Sequence, residues 1–537
     1  MAHGVREGAD ADAHVAPHRP FDPWLVARSL LHWRRVSQLH HQQREAEMDA
    51  EHEHENRFSG DEWGLHPSDM NPCFIRPQYA VRGDIYLRAV ELKAEGREIT
   101  YCNIGNPQSV GQAPIKFYRN VLALCLCPHL LDHPSVGALY PEYAVSNAKR
   151  ILGHIPGGLG AYSDSRGVPY LCQQVAKYIE RRDGPGAGPA DYSRIFMTDG
   201  ASVGVKMILS ALVSGPESGI LCPVPQYPLY SATLSILDGT LVPYYLDEES
   251  GWSLSIDDLQ AILDAYRKKG VTCKALCFIN PGNPTGQCLS MANLQALIRF
   301  AAKERLVLLA DEVYQENVYG DVPFTSARKA LLSLPREVSD ECQLVSFHTI
   351  SKGTIGECGL RGGYFELTNV SDAGLGAIYK MASINLCPNL PAQVVTSLYL
   401  NPPEPGEAGH EEWSAERGAI FDALTRKAAF VSTLFNAMDG VTCQPVAGAM
   451  YAFPRIHLPE AFVREAEQAG KAPDGMYCME LLEATGIATV PGSGFGQKKG
   501  TFHCRTTILP SEDKMRDMMQ QWGDFHRAFM VRHTSSA

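Results

Sequence analysis

The run SFHTISKGTIGECGLRGGYFE, residues 346–366, sets one lysine, Lys352, just past an apolar stretch and one arginine, Arg361, nine residues later. A lysine beside a buried strand must have its charge solvated or paired. Lys352 is therefore either a loop lysine at the surface or an amine held for chemistry. Three other apolar runs end in residues that bear on the choice. RIFMTD is followed by Gly200, Ala201 and Ser202, where free N–H groups, a small residue and a hydroxyl at a helix start make a phosphate cup. KALCFI leads into NPGNPTG, whose two Asn-Pro steps hold Asn283 at a sheet edge or simply build a turn. RLVLLA ends on Asp311, with Tyr314 three residues on. A carboxylate after so apolar a run needs a partner, such as a helix N-terminus or a bound cation. The lysine run itself contributes Thr349 ahead of Lys352.

In an open α/β sheet the ligand lies beyond the carboxyl ends of the strands, so these residues would share one site. Together they offer a phosphate cup, an arginine, a buried carboxylate, an amide, a phenol and an amine. Pyridoxal phosphate matches that set, with its phosphate, protonated pyridine nitrogen, phenolic oxygen and lysine-reactive aldehyde. A lysine condensed with that aldehyde has no need to be a surface charge.

Elements that could position such a site are visible from about residue 70. Short apolar runs, GILCPVPQY among them, alternate with helical periods such as VGVKMILSALV and MANLQALIRFAAKE. That alternation predicts an α/β fold, a largely parallel sheet covered by helices on both faces. Past 400, NPPEPGEAGHEE reads as a loop. A long helix is expected from near Ser414, with Ile420, Phe421, Leu424, Val431, Leu434, Phe435 and Met438 on one face and Gly440 as its stop. GAMYAFPRI and GTFHCRTTILP then suggest a smaller α+β domain. The expected division is an extension over 1–65, an N-terminal arm with part of the small domain over 66–125, a large cofactor-binding domain over 126–395 and a small domain over 396–537.

The 537 residues are 45% hydrophobic and 20% charged, ordinary for a globular chain. A net charge of -12 with no basic stripe argues against a nucleic-acid partner. No apolar run reaches transmembrane length. The fifteen cysteines are scattered, without a paired C-x-x-C set. Free thiols in a reducing compartment explain them better than a metal site. The extension reads as mostly disordered. Within it, PWLVARSLLHWRRVSQLHHQQR has the makings of a basic amphipathic helix similar to a mitochondrial transit segment, against which Glu7, Asp10 and Asp12 count. Its alternating His and Glu at 51–55 is a metal-binding run or a solvated polar one. No metal site is expected. GSGFG at 492–496 lacks the full nucleotide-binding fingerprint.

From NPCFIRPQYAVRG at 71 to TTILP at 506–510, about four fifths of the chain, the sequence resembles the fold type I pyridoxal-phosphate enzymes, class I/II aminotransferases. SKGTIGECGLRGGYFE, INPGNPTGQ, LLADEVYQENVY, YIERRDG, GAMYAFPR and HCRTTILP carry the likeness. GECGxRGGY and the TILP ending point to its alanine-aminotransferase branch. The resemblance implies a mostly parallel seven-stranded sheet in the large domain. It also implies that Lys352 bonds the cofactor aldehyde and shuttles a proton, and that Asp311 pairs with the pyridine nitrogen. Asn283 and Tyr314 would bond the phenolic oxygen, and Tyr227 would stack on the ring. Ala201, Ser202, Thr349 and Arg361 would hold the phosphate. Tyr162 would reach the phosphate of a neighbouring subunit, which makes the protein a homodimer. Arg505 would clamp the substrate α-carboxylate, a bidentate task suited to guanidinium, with Gly105 and Asn283 lining the substrate pocket.

The implied reaction is amino transfer from L-alanine to 2-oxoglutarate, giving pyruvate and L-glutamate. The alternatives are an aromatic, kynurenine or glutamate–glyoxylate aminotransferase, a lyase of the same fold, or a pyridoxal-phosphate-sensing regulator, which the lack of a helix-turn-helix signal opposes. Two departures stand out: Thr349 where the family often has serine, and Thr354 where alanine enzymes often carry an aromatic residue. Only small-molecule partners besides the second subunit are expected. The expected compartment is the cytoplasm, with the mitochondrial matrix as alternative.

Overall fold

The structure, a computed structural model, describes residues 70–77 and 79–534. The expectations for the first 65 residues lie outside them. Seven strands form the central sheet: β1 (Ile195–Thr198), β2 (Ser218–Val224), β3 (Thr240–Tyr245), β4 (Thr272–Ile279), β5 (Val307–Asp311), β6 (Leu344–Thr349) and β7 (Gly363–Thr368). Their order is β1-β7-β6-β5-β4-β2-β3. All neighbours run parallel except β7, which lies antiparallel to both β1 and β6. Strands buried on both faces need continuous rather than alternating apolar residues. β1, β2 and β6 are buried along their whole length. Two strands lack that signature in sequence: β3, partly exposed at the sheet edge, and β7, whose GYFELT begins two residues after Arg361.

Helices cover both faces. On one, α4 (Ile256–Lys268) and α5 (Met291–Glu304) pack Leu259, Leu263, Leu294, Leu297 and Ile298 on Leu221, Phe278, Leu308 and Leu344. On the other, α1 (Pro169–Asp183) sets Leu171, Val175 and Ile179 against Ile195, Met197 and Tyr364. α5 covers the predicted MANLQALIRFAAKE, with the Ser290 side chain accepting from Asn293 N as its N-cap. VGVKMILSALV falls in α2 (Ala201–Leu212) up to its last residue, Val213, and α3 (Leu229–Ile236) follows β2.

The long helix α6 runs from His410 to Asn436, so it starts and ends about a turn earlier than its apolar stripe suggests. Gly409 turns left-handed ahead of it (φ 89°), and Glu411 and Glu412 in the first turn face the positive end of the helix dipole. Past it, β8 (Tyr451–Ala452), β9 (Val490–Pro491) and β10 (Cys504–Thr507) form an antiparallel sheet in the order β8-β10-β9. After it comes α7 (Glu512–Thr534), which buries Met515, Met518, Trp522, Phe525 and Phe529. The strand Thr100–Tyr101 pairs with Ile487–Ala488, and Thr507 N donates to Cys102 O at 3.0 Å. These bonds draw the segment that ends in Gly105 alongside β10. Among the described residues, no helix is long and apolar enough to cross a membrane.

Candidate active site

The registers Ile279↔Asp311 and Asp311↔Phe347 bring the carboxyl ends of β4, β5 and β6 to one edge. Asp311 ends β5 almost fully buried. Its Oδ2 accepts from the Tyr230 hydroxyl on α3 at 2.9 Å, while Oδ1 is buried with no partner. Burial pushes the carboxyl up to about 6, although the Tyr230 hydroxyl, the Val313 N–H and the Lys352 ammonium act against the rise. An acceptor in this state fits a cationic N–H donor.

Beyond β4, Asn280 pins the Asn-Pro loop: its Oδ1 accepts from Leu289 N and its N–H donates to Asp311 O, both at 2.9 Å. Asn283 is thereby held between two partners. Its Oδ1 accepts from Arg505 Nη1 at 3.0 Å, and its Nδ2 stands 3.5 Å from the Tyr314 hydroxyl. The Tyr314 hydroxyl donates in turn to that of Tyr451 at 3.4 Å. Burial first, then the neighbouring phenol, pushes Tyr314 well above the usual phenol range.

Lys352 lies in the turn after β6. Its Nζ donates to Gly105 O at 3.3 Å and stands 5.5 Å from the centre of the Tyr314 ring. Asn317 Oδ1 accepts from Gly353 N at 2.8 Å and fixes the turn. Gly105 has to be glycine: a Cβ there would collide with the Tyr451 hydroxyl and stand 3.2 Å from Lys352 Nζ.

A cup forms where β1 passes into α2. Gly200 takes φ 84° there, and a Cβ on it would run into the Arg361 guanidinium. Arg361 Nη2 donates to Ser202 Oγ and Asp199 O, each at 3.3 Å, and Nη1 to Ser351 Oγ at 3.4 Å. The first N–H groups of α2, Ala201 and Ser202, lack intrahelical partners by helix geometry. The Thr349 hydroxyl donates to Gly362 O at 2.7 Å and stands 3.2 Å from Ser351 Oγ. The cup thus offers a guanidinium, hydroxyls and helix N–H groups to an anion.

Arg505, on β10, is 1% exposed. Its guanidinium carbon lies 4.0 Å from the centre of the Tyr451 ring and 4.7 Å from that of Phe495. Nη2 donates to Asn103 O at 2.5 Å, while Nε is buried without a partner. A buried cation with a spare donor fits a carboxylate. Tyr227 meets Tyr79 hydroxyl to hydroxyl at 2.6 Å, and their rings stand edge-on. Tyr162 is apart from this cluster, 78% exposed on the surface.

Sequence reasoning missed Tyr230, Tyr451, Asn103 and Phe495. PVPQYPLY and GAMYAFPR hold two of them, yet only the folded chain brings Tyr230 to Asp311 or Tyr451 to Arg505.

A model of the family "Aminotransferase class I and II" matches residues 139–520. The chain is 52% identical to glutamate–glyoxylate aminotransferase 1 of Arabidopsis thaliana, over 87% of this chain and 97% of that one. It is 48% identical to a probable mitochondrial alanine aminotransferase of Dictyostelium discoideum, over 85% and 88%. The fold is similar to a crystal structure of an Escherichia coli aminotransferase, with a TM-score of 0.69 and 22% identity over 86% of this chain and 99% of that one.

Proposed function

We infer the reaction from one premise: the chain belongs to the class I and II aminotransferases, which work with pyridoxal phosphate. The reaction assigned here is reversible transfer of the amino group of L-alanine to 2-oxoglutarate, giving pyruvate and L-glutamate. The residues fit the cofactor. Asp311 Oδ1, the buried acceptor without a partner, suits the pyridine N–H, and the Gly200 cup with Ser202 and Arg361 suits the phosphate. Asn283 and Tyr314 suit the phenolic oxygen, and Tyr227 the ring face.

When bound, the cofactor supplies an aldehyde for an amine and a ring that withdraws electrons from the substrate Cα. The chain does the rest. Asp311 keeps the ring nitrogen protonated. Lys352 Nζ would take up and give back the substrate proton at Cα. Arg505 grips the α-carboxylate, and its sandwich of Tyr451 and Phe495 fixes the plane of the guanidinium. The observation that carries the reading is the convergence of Lys352, Asp311 and Arg505, from three separate elements, on the edge where β4, β5 and β6 end.

The alanine assignment is supported by the Dictyostelium relative and by the closeness of Gly105, Tyr451 and Lys352, which leaves little room around the amine. A second reading, glutamate to glyoxylate, is favoured by the Arabidopsis relative. Initial rates with each acceptor distinguish them. Rapid turnover of alanine with 2-oxoglutarate supports the first, and a strong preference for glutamate with glyoxylate establishes the second.

The same reading makes the protein a homodimer in which Tyr162 reaches the neighbouring active site. The exposure of Tyr162, Ile384 and Leu386, with Ser165 Oγ tied to Leu386 O at 2.7 Å, supports it. Sedimentation of a monomer at micromolar concentration would refute it. The compartment in this reading is the cytoplasm, whereas the relative named as mitochondrial supports the matrix. Imaging a tagged chain with and without residues 1–65 decides between them.

A further inference from the structure

Tyr451 is the side chain on which the site's groups meet, and its hydroxyl is given no role above. It is 3% exposed. Its ring face lies on the Arg505 guanidinium at 4.0 Å, and its hydroxyl accepts from Tyr314 at 3.4 Å. That hydroxyl and Lys352 Nζ both border the spot where a Cβ on Gly105 would stand. The fold determines this placement several times over. β8 pairs Tyr451 with Thr507, two residues past Arg505 on β10. Just before it, Ala449 adopts φ 61°, unusual for a residue with a Cβ. The turn is tied across to the segment that follows β5: Ala449 N donates to Asn317 O at 2.9 Å, and Tyr319 N to Ala447 O at 2.8 Å. Asn317 also fixes the Lys352 turn through Gly353 N. One asparagine therefore sets both the lysine turn and the turn that carries Tyr451.

Two cations face this phenol, Lys352 at its oxygen and Arg505 at its ring. Burial raises a phenol, yet here Lys352 first and Arg505 second outweigh it and draw Tyr451 below its ordinary range. The two cations must stay as far apart as the α-carboxylate and the α-amino nitrogen of one amino acid. A rigid electron-rich group between them meets that need: the oxygen attracts the ammonium and the π face the guanidinium.

We propose that Tyr451 is a positioning residue for the transfer reaction, its hydroxyl aiming Lys352 Nζ at the substrate Cα and its ring holding Arg505 on the α-carboxylate. This rests on the aminotransferase reading and adds a division of labour within one side chain. The oxygen serves the proton transfer, which belongs to kcat. The ring serves carboxylate binding, which belongs to KM.

The test compares Tyr451→Phe, Tyr451→Leu and Gly105→Ala holoenzymes with the unaltered one, using L-alanine and L-glutamate. Tyr451→Phe keeps the ring and removes the oxygen. Loss of the electron-rich oxygen that faces the Lys352 ammonium predicts a kcat roughly ten-fold lower for both amino acids, with KM changed less than about threefold. Tyr451→Leu removes the ring too, so KM for both should also rise by roughly ten-fold. Gly105→Ala presses a methyl group on the same oxygen and on Lys352, so it should lower kcat even if the Tyr451 variants fold poorly. A readout independent of turnover is the rate at which the apo chain, given pyridoxal phosphate, gains a borohydride-reducible adduct on Lys352, measured by mass spectrometry. That rate should fall in Tyr451→Phe while the final stoichiometry holds. A Tyr451→Phe enzyme with unaltered kcat and adduct rate, or with only KM raised, overturns the proposal and leaves the aminotransferase reading standing. An unaltered enzyme that neither transaminates nor carries the adduct on Lys352 overturns both.

Discussion

Replacing Asp311 with asparagine separates function from stability, because the two should move in opposite directions. The substitution keeps the shape of the side chain and a partner for the Tyr230 hydroxyl, but removes the charge at the ring nitrogen. A carboxylate about 3 Å from a unit positive charge, at an effective dielectric constant near 20, interacts by roughly 5 kcal/mol. Mutagenesis of preorganised electrostatic groups gives about 3–4 kcal/mol, so kcat should fall about a hundred- to a thousand-fold. In the apo chain the sign reverses. Burial raises this carboxyl from 3.8 to about 6, which at 1.36 kcal/mol per pH unit costs its ionised form about 3 kcal/mol. That cost is absent below the unfolded value and fully present above about pH 6. Apo Asp311→Asn should therefore match or exceed the stability of the unaltered apo chain at pH 8, by at most about 3 kcal/mol. The assays are steady-state kinetics with L-alanine and 2-oxoglutarate, and urea unfolding of both apo proteins. An Asp311→Asn enzyme within fivefold in kcat whose apo form is clearly less stable would mean that the carboxylate is structural.

Lys352→Ala should abolish turnover yet still bind cofactor non-covalently, and a borohydride-reducible adduct persisting in this variant would assign the chemistry to another lysine. Arg505→Gln should lower kcat/KM about ten- to a hundred-fold for alanine and glutamate alike, since both present the same α-carboxylate; a loss confined to one substrate would refute the clamp. Burial first, then the nearby Arg182 guanidinium, lowers His348 from 6.5 to about 3. Its contribution to stability is complete above the unfolded value and is lost as pH falls, at up to about 1.4 kcal/mol per pH unit below pH 6.5. Urea midpoints between pH 7 and 5 should therefore drop less in His348→Gln than in the unaltered chain, and equal slopes would contradict this. Deleting residues 1–65 should leave kcat within about twofold, because every residue assigned a role lies downstream; failure to fold or turn over would show that the extension takes part.

The strands that carry the site were legible because β1, β2 and β6, and the carboxyl-terminal parts of β4 and β5, are buried on both faces and so read as largely apolar runs. Polar residues at or just past the ends of β4, β5 and β6 stand out for being there, which is how Asp311, Asn283 and Lys352 drew notice. β3 escaped because an edge strand is mixed in polarity, and β7 because it begins inside the glycine-rich run after Arg361. Tyr230 and Tyr451 escaped for another reason. Nothing local distinguishes Tyr230 from Tyr227, three residues earlier, and the contact that matters spans 81 positions to Asp311. Tyr451 depends on the pairing of β8 with β10 and on bonds to Asn317, none of which leaves a periodic trace. The family resemblance supplied Arg505, Gly105, Tyr227 and Tyr162. No apolar run or spacing pointed to them.

In the reaction proposed above, the Lys352 amine and bound cofactor take the amino group from L-alanine at one site per chain. A single-turnover measurement tests it directly: holoenzyme is mixed with L-alanine in the absence of any 2-oxo acid, and pyruvate is counted against cofactor while Lys352 is followed by borohydride trapping and mass spectrometry. One pyruvate per bound cofactor is expected, with the reducible adduct on Lys352 vanishing in step and returning when 2-oxoglutarate is added. No pyruvate and an unchanged Lys352 adduct, with another amino acid discharging it instead, would refute the alanine reaction.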